Sequence, residues 1–213
     1  MLKHYKITLL SPLFSYNKTE GGVASTEPFI GDIALDYALN FNLAKKREYT
    51  YQVKNKPNYE EIKEFGFFWT VGRPIDVEKT RIYAKKTSEI SDYMVRKNII
   101  EQMGKGLFKN YFHIQGIKEG STFEASLWMD DKSINLPERF TLRVGTGREC
   151  LLLLEEKDTN DNNNSELWLN LYTIKKIFGK DIKLRENQNI KFVLSNYILI
   201  TNCKDDDVLK LFA

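Results

Sequence analysis

Arg143 and Arg148 bracket the turn Gly145-Thr146-Gly147 within Leu136–Cys150, LPERFTLRVGTGREC. Two guanidinium groups beside a glycine turn suit a polyanion backbone, because bent peptide N–H groups and forked cations both bind phosphate oxygens. The turn is not a nucleotide-binding P-loop, since no Gly-Lys-Ser/Thr follows it and no helix is expected to begin there. A plain hairpin turn also requires glycine at positive φ, so the turn alone leaves both readings open. Histidine is scarce, with His4 and His113 only. A metal-dependent hydrolase needs a cluster of His, Asp and Glu, and none is visible in the spacing, so no metal or cofactor is expected. His113, in Tyr111-Phe112-His113-Ile114 with Lys109 nearby, could act as a general acid–base; a hydrogen-bonded structural histidine fits the same position. Cys150 precedes the apolar run Leu151–Leu154 and reads as a packed thiol, and no nucleophile elbow recommends Ser-His-Asp chemistry.

Between Lys79 and Lys118 the cations Lys79, Arg81, Lys85, Lys86, Arg96, Lys97, Lys105, Lys109 and Lys118 outnumber the acids. They are interleaved with Gly104, Gly106, Tyr111 and Phe112, a mixture that fits RNA contact as well as a solvated face. Phe67-Phe68-Trp69 could stack bases, but strand alternation turns Phe68 away from its neighbours, so one face at most is free. A net charge of +3 over 213 residues means that nucleic-acid binding needs a local patch, not bulk charge. Hydrophobic content of 42% and aromatic content of 13% describe a globular chain. Cys150 and Cys203 form neither a CxxC metal site nor a disulfide framework and fit a reducing compartment. The start, MLKHYKITLLSPLF, is too short and interrupted for a signal peptide. No run approaches the roughly 20 apolar residues that span a bilayer, so a cytoplasmic protein without membrane contact is expected.

The elements that position these residues follow from periodicity. Tyr5, Ile7 and Leu9 alternate with Lys6 and Thr8 as a first strand. A helix is expected from a Ser25 or Thr26 cap with Pro28 in its first turn, its apolar stripe formed by Ile30, Ile33, Ala34, Tyr37, Ala38 and Phe41 and thickened by Leu35, Leu39 and Leu43. Asn58-Tyr59-Glu60-Glu61 reads as a capping box for a short helix ending near Gly66. Strands are expected at Phe67–Val71, Arg81–Ala84, Thr122–Met129, Arg139–Val144, Glu149–Glu155, Ile190–Leu194 and Tyr197–Thr201. Leu171, Ile174, Ile177 and Phe178 suggest a short helix capped by Gly179, and Lys157–Ser165 reads as a solvated loop. Residues 75–120 read as a basic extension from one domain that spans residues 1–213. The order of elements points to an α+β sheet with helices on one face.

In this order, the pieces resemble the Csc-one branch of the Cas-five family, a subunit of the type I-D CRISPR effector complex (Cascade). Thr26-Glu27-Pro28-Phe29-Ile30 leads into Ala34-Leu35-Asp36-Tyr37-Ala38-Leu39, followed by Phe68-Trp69-Thr70 with Pro74, Phe123 after Gly120-Ser121, and Leu136-Pro137 before Arg143-Val144-Gly145. The resemblance covers roughly residues 5–150, by the order of several short motifs. Two positions depart from it. Gly31-Asp32 stands where members carry His-Asn, and Thr146 where they place lysine, so the cation at the turn must come from Arg143 or Arg148. The resemblance implies a ferredoxin-like, RNA-recognition-type (RAMP) domain with a glycine-rich loop and a projecting, thumb-like hairpin. It implies a place at the foot of the complex, holding the 5′ handle of the CRISPR RNA beside a backbone subunit and the large subunit, near the entry of target DNA. It also implies binding without catalysis.

The expected function is therefore a non-catalytic RNA-binding subunit in which Arg143 and Arg148 pair with handle phosphates while Gly145, Thr146 and Gly147 let the backbone approach. Tyr16, Lys18, Arg73, Lys97, Lys105 and Lys109 are further expected contacts. A metal-independent endoribonuclease centred on His113 and a protein-interaction module without RNA contact are the alternatives.

Overall fold

Apolar and polar residues alternate along β1 (Leu2–Leu9), which runs through the middle of the main sheet. The computed structural model describes residues 1–15, 18–20, 23–43, 59–84, 113–130, 134–157 and 166–212. After β1 come β2 (Lys18–Glu20), β3 (Val23–Ser25), α1 (Asp32–Leu43) and a 3-10 turn (Glu60–Glu64). Next are β4 (Phe67–Trp69), β5 (Arg73–Asp76), β6 (Tyr83–Ala84), β7 (His113–Gln115), β8 (Thr122–Met129) and β9 (Arg139–Val144). A second 3-10 turn (Thr146–Arg148) leads to β10 (Cys150–Glu156), β11 (Leu167–Asn170) and a π-helical turn (Thr173–Ile177). The described chain closes with β12 (Ile190–Leu194), β13 (Tyr197–Cys203) and α2 (Asp205–Phe212), and it is mostly β with few helices.

The main sheet has six antiparallel strands, ordered β4-β8-β1-β10-β9, with β5 also paired to β8. β1 and β4 both run against β8, so they point the same way with β8 between them. The chain from β1 to β4 carries α1 across one face of this sheet. A three-stranded antiparallel sheet, β11-β13-β12, covers part of the other face. A four-stranded sheet, β2-β3-β7-β6, lies alongside, with β3 and β7 parallel.

Strand alternation separates the cores. Tyr5, Ile7, Leu9, Phe67, Trp69, Phe123, Leu127, Leu152 and Leu154 point toward Ile33, Leu35 and Leu39 of α1. Phe68 and Trp128 point the opposite way and pack with Leu169, Ile174, Ile200, Val208 and Leu211. Helices therefore lie on both faces, not one. Asp205-Asp206-Asp207 is the first turn of α2, where carboxylates meet the positive end of the helix dipole. Val208, Leu211 and Phe212 then cover the outward rings, with Phe212 stacked on Trp128 at 4.6 Å between centroids.

Helix α1 starts later than expected. Thr26 is still extended, its N–H donating to Gln115 O and its Oγ1 accepting from the Ser15 N–H at 2.9 Å, so the hydroxyl is not available as a cap. The helix is also rotated from the expected stripe. Its buried residues are Asp32, Ile33, Leu35, Asp36, Leu39 and Asn40, while Phe41 is 63% exposed. Polar residues share the buried face because they bond neighbouring layers. Asp36 Oδ1 accepts from the Trp69 N–H of β4 at 2.9 Å. Asp32 accepts from Thr173 Oγ1 at 2.6 Å and from Asn170 Nδ2 at 3.1 Å. Asn170 Nδ2 also donates to Asn196 O, and Asn170 Oδ1 accepts from the N–H groups of Tyr172 and Ile198. Gly31 belongs to the same arrangement: a Cβ there would collide with the Tyr197 hydroxyl, which excludes any larger residue while Tyr197 keeps its place.

Burial pushes the Asp32 carboxyl up to about 6, against the pull of its hydrogen bonds from Thr173 and Asn170. Burial, then the charge of Asp32, raises Asp36 well above the usual carboxylate range, although the Trp69 N–H lowers it. Among the described residues Asp36 Oδ2 has no hydrogen-bond partner, which a neutral carboxyl tolerates better than a carboxylate. With folded values above unfolded ones, the folded protein holds the extra protons. The contribution of Asp32 is complete below its unfolded value of 3.8 and is lost as pH rises through about 6. The denaturation midpoint should accordingly fall as pH rises from 3.8 through about 6, with Asp36 extending the fall to higher pH, and Asp36→Asn, which cannot ionise, should flatten that fall. An equally steep fall in the variant would mean that Asp36 is already ionised in the folded protein.

Candidate nucleic-acid interface

The glycine turn joins β9 to β10, the edge pair of the main sheet, and its backbone explains its composition. Gly145 sits at φ 83°, ψ −176°, a region open essentially to glycine alone. Its missing Cβ would stand 3.0 Å from Leu13 Cδ1 and 3.1 Å from Phe14 O. The Thr146 N–H donates to Phe14 O at 2.8 Å, and the Arg148 N–H donates to Gly145 O at 3.1 Å. Two of the amides expected to face a ligand are thus engaged inside the protein. Ser11 clamps the other side, its Oγ accepting from the Leu151 N–H at 2.9 Å while its carbonyl accepts from Cys150 Sγ. Leu13 pairs with Ile117, and Gly116 lies against the Phe14 ring, which ties the turn to the chain that leaves β7.

With those amides occupied, side chains present the chemistry. Arg143 is exposed on β9, opposite Leu151, on the face away from Leu142 and Val144. Arg148 is exposed beyond the turn, its guanidinium carbon 4.5 Å from the centroid of the Phe41 ring on the last turn of α1. Asn42 Nδ2 donates to Thr141 O at 2.9 Å and holds that end of α1 to β9. On the other flank, Arg81 lies 5.1 Å from the Tyr83 ring, and Tyr83 meets Phe14 edge-on at 6.1 Å. The turn is therefore flanked by two arginine–aromatic pairs. Among the described residues Arg81, Arg143 and Arg148 form no ion pair, whereas Arg73, Arg139 and Arg185 do.

The other expected contacts are not gathered here. Arg73 bonds Glu124 at 2.8 Å, with Glu166 at 4.0 Å, and Lys157 bonds the second oxygen of Glu124. Burial pushes the Glu124 carboxyl up, but Lys157 and Arg73 outweigh it and hold it below its ordinary value. Lys18 pairs through its backbone with Ser25, its side chain lying outside the described residues together with Tyr16, Lys97, Lys105 and Lys109. His113 is exposed on β7 between Val23 and Ala84, and its imidazole has no hydrogen-bond or ion-pair partner among the described residues.

Two arrangements with catalytic residue types are sealed. Ser126 Oγ lies 2.7 Å from His4 Nδ1, and His4 Nε2 lies 3.0 Å from Asp205 Oδ2. Ser126 is only 1% exposed, so the relay cannot meet a substrate and instead ties β1 and β8 to the start of α2. Burial pushes the Cys150 thiol up to about 12, the packed state expected of it. Sequence reasoning missed Phe41, assigned to the buried stripe, and did not single out Phe14 and Tyr83. The available signal was the spacing Asp32, Asp36, Asn40, which marks one continuous face of α1 and leaves Phe41 off it.

The geometry defines a β-rich protein whose main antiparallel sheet carries a basic, aromatic-flanked glycine turn at one edge. The chain belongs to the family of the type I-D CRISPR-associated protein Cas5/Csc1, whose family model matches residues 1–207. A search of curated proteins finds no match. Among solved structures, a chain in the cryo-EM structure of the type III-B Cmr-β complex bound to cognate target RNA and AMPPnP is similar at 10% identity. That match has a TM-score of 0.42 and covers 95% of this chain and 84% of the other.

Gly145→Ala should destabilise the protein by about 1–3 kcal/mol, from backbone strain and from the contacts with Leu13 and Phe14. Gly120 also has positive φ, but a Cβ there meets nothing within 4 Å, so Gly120→Ala should cost less. Equal losses in denaturant midpoint would show that residues 10–15 simply move aside.

Proposed function

We propose that this chain is a non-catalytic subunit of a type I-D Cascade complex that binds the 5′ handle of the CRISPR RNA at the β9–β10 turn. Family membership supports the CRISPR setting. The observation that carries the RNA site is the pair Arg143 and Arg148, without ion-pair partners among the described residues, on either side of a turn clamped by Phe14 and Ser11. In a chain of net charge +3, cations not neutralised in place concentrate the positive field. The guanidinium groups pair with handle phosphates, and Gly145, Thr146 and Gly147 leave room for the strand to pass. Tyr16, Lys18, Lys97, Lys105 and Lys109 are further contacts with the handle, with a smaller part for Arg73, which Glu124 already engages.

The order β4-β8-β1-β10, with α1 between β1 and β4, supports a ferredoxin-like RAMP core in which the β9 hairpin replaces a second crossover helix. The subunit caps the foot of the complex in the cytoplasm, against a backbone subunit and the large subunit, near the entry of target DNA.

Binding of the labelled handle fragment and of intact repeat RNA, in EDTA and at two salt concentrations, tests this reading. Tight, salt-sensitive handle binding without cleavage is expected. Arg143→Ala and Arg148→Ala should each weaken it and reduce the log–log salt slope by about 0.7 per lost contact. Unchanged affinity and slope in both variants would remove the turn from the site, and chelator-insensitive cleavage abolished by His113→Ala would replace binding with catalysis.

A further inference from the structure

Phe41 is the most solvent-exposed ring beside the turn, 63% exposed at the end of a helix whose opposite face is buried. A single exposed phenylalanine needs no explanation by itself. This one already has a planar cationic partner, the Arg148 guanidinium at 4.5 Å from its centroid. Its surroundings are fixed: the Asn42 bond to Thr141 O sets the last turn of α1 on β9, and the Thr146 bond to Phe14 O sets the turn that carries Arg148. An exposed ring held beside a cation that has no ion-pair partner among the described residues matches the elements by which proteins take single-stranded nucleic acid, stacking on the base while guanidinium groups hold the backbone. A protein partner would favour a broader apolar patch, whereas the flanking residues Asn42 and Arg148 are polar and exposed.

We propose that Phe41 and Arg148 form a stacking platform that receives one unpaired nucleobase of the RNA strand whose phosphates meet the turn. This rests on the handle-binding reading and adds to it a base contact, placed on α1 rather than on the sheet. Phe41 makes the face-to-face contact, and Arg148 closes the column while remaining able to bond a phosphate oxygen. Stacking of this kind tolerates any base, so the platform fixes the register of the strand without reading its sequence.

The test uses the full chain and handle RNA carrying 2-aminopurine at one position at a time, because stacking quenches that fluorophore. Quenching on binding is expected at one position, lost in Phe41→Ala and kept in Phe41→Tyr. Phe41→Ala should weaken handle binding about tenfold, the effect of one lost base–aromatic stack. It should leave the thermal midpoint unchanged, because the ring is exposed. If the parent chain binds the handle and Arg143→Ala weakens it, while Phe41→Ala binds equally well with every quench unchanged, the platform is wrong and the handle reading stands. If the parent chain binds no handle RNA, both fall.

Discussion

Asp32 and Asp36, two carboxyl groups buried beneath the main sheet, are the constraint on which the other layers depend. Asp36 takes the Trp69 amide of β4, and Asp32 takes Asn170 at the end of β11 and Thr173 just beyond it. Through Asn170 the same network reaches Asn196 and Ile198, so one helix face joins both sheets. Buried acids are costly unless they are bonded or neutral, and here they are bonded on one side and pushed toward neutrality. The orientation of α1 follows. Once Asp32, Asp36 and Asn40 turn inward, Phe41 and Asn42 emerge at the β9 edge, where they meet the turn.

The turn is set by a second group of contacts, from residues 11–15. Ser11, Leu13 and Phe14 engage it from both sides, and the same segment bridges to Ile117, just after β7, while Phe14 meets Tyr83 of β6. Three structural units therefore converge on it: α1, the β9–β10 hairpin and the four-stranded sheet. The consequence is electrostatic as well as steric. Arg73, Lys157 and Glu124 on the sheet pair with opposite charges, while the arginines around the turn stack on rings or face solvent. Stacked guanidinium groups keep their charge available to an incoming polyanion.

Much of the strand framework was legible in the sequence. Thr122–Met129, Arg139–Val144 and Ile190–Leu194 occupy the expected spans, because period-two alternation is a local property of any strand with one buried face. Helix α2 was overlooked although its acidic first turn and the spacing of Val208, Leu211 and Phe212 were present; the acidic run drew attention away from the apolar residues after it. For α1 the chemistry of the residues misled, because a helix packed by hydrogen bonds across layers does not show a simple apolar stripe. The same limit applies to the His4, Ser126 and Asp205 relay, whose members are far apart in the chain and meet only through strand pairing and the return of α2.

The sequence by itself determined the strand periodicity, the need for glycine at the β9–β10 turn, the cations beside it and the family motifs, since each depends on neighbours within a few residues. Tertiary structure alone decided which face of α1 is buried, which amides of the turn are occupied and which arginines lack a carboxylate partner among the described residues. Those outcomes depend on contacts between segments as distant as Phe14 and Thr146, or Phe41 and Arg148. A local pattern specifies what a residue can do, and only the packing of distant segments specifies which atoms are left free to do it.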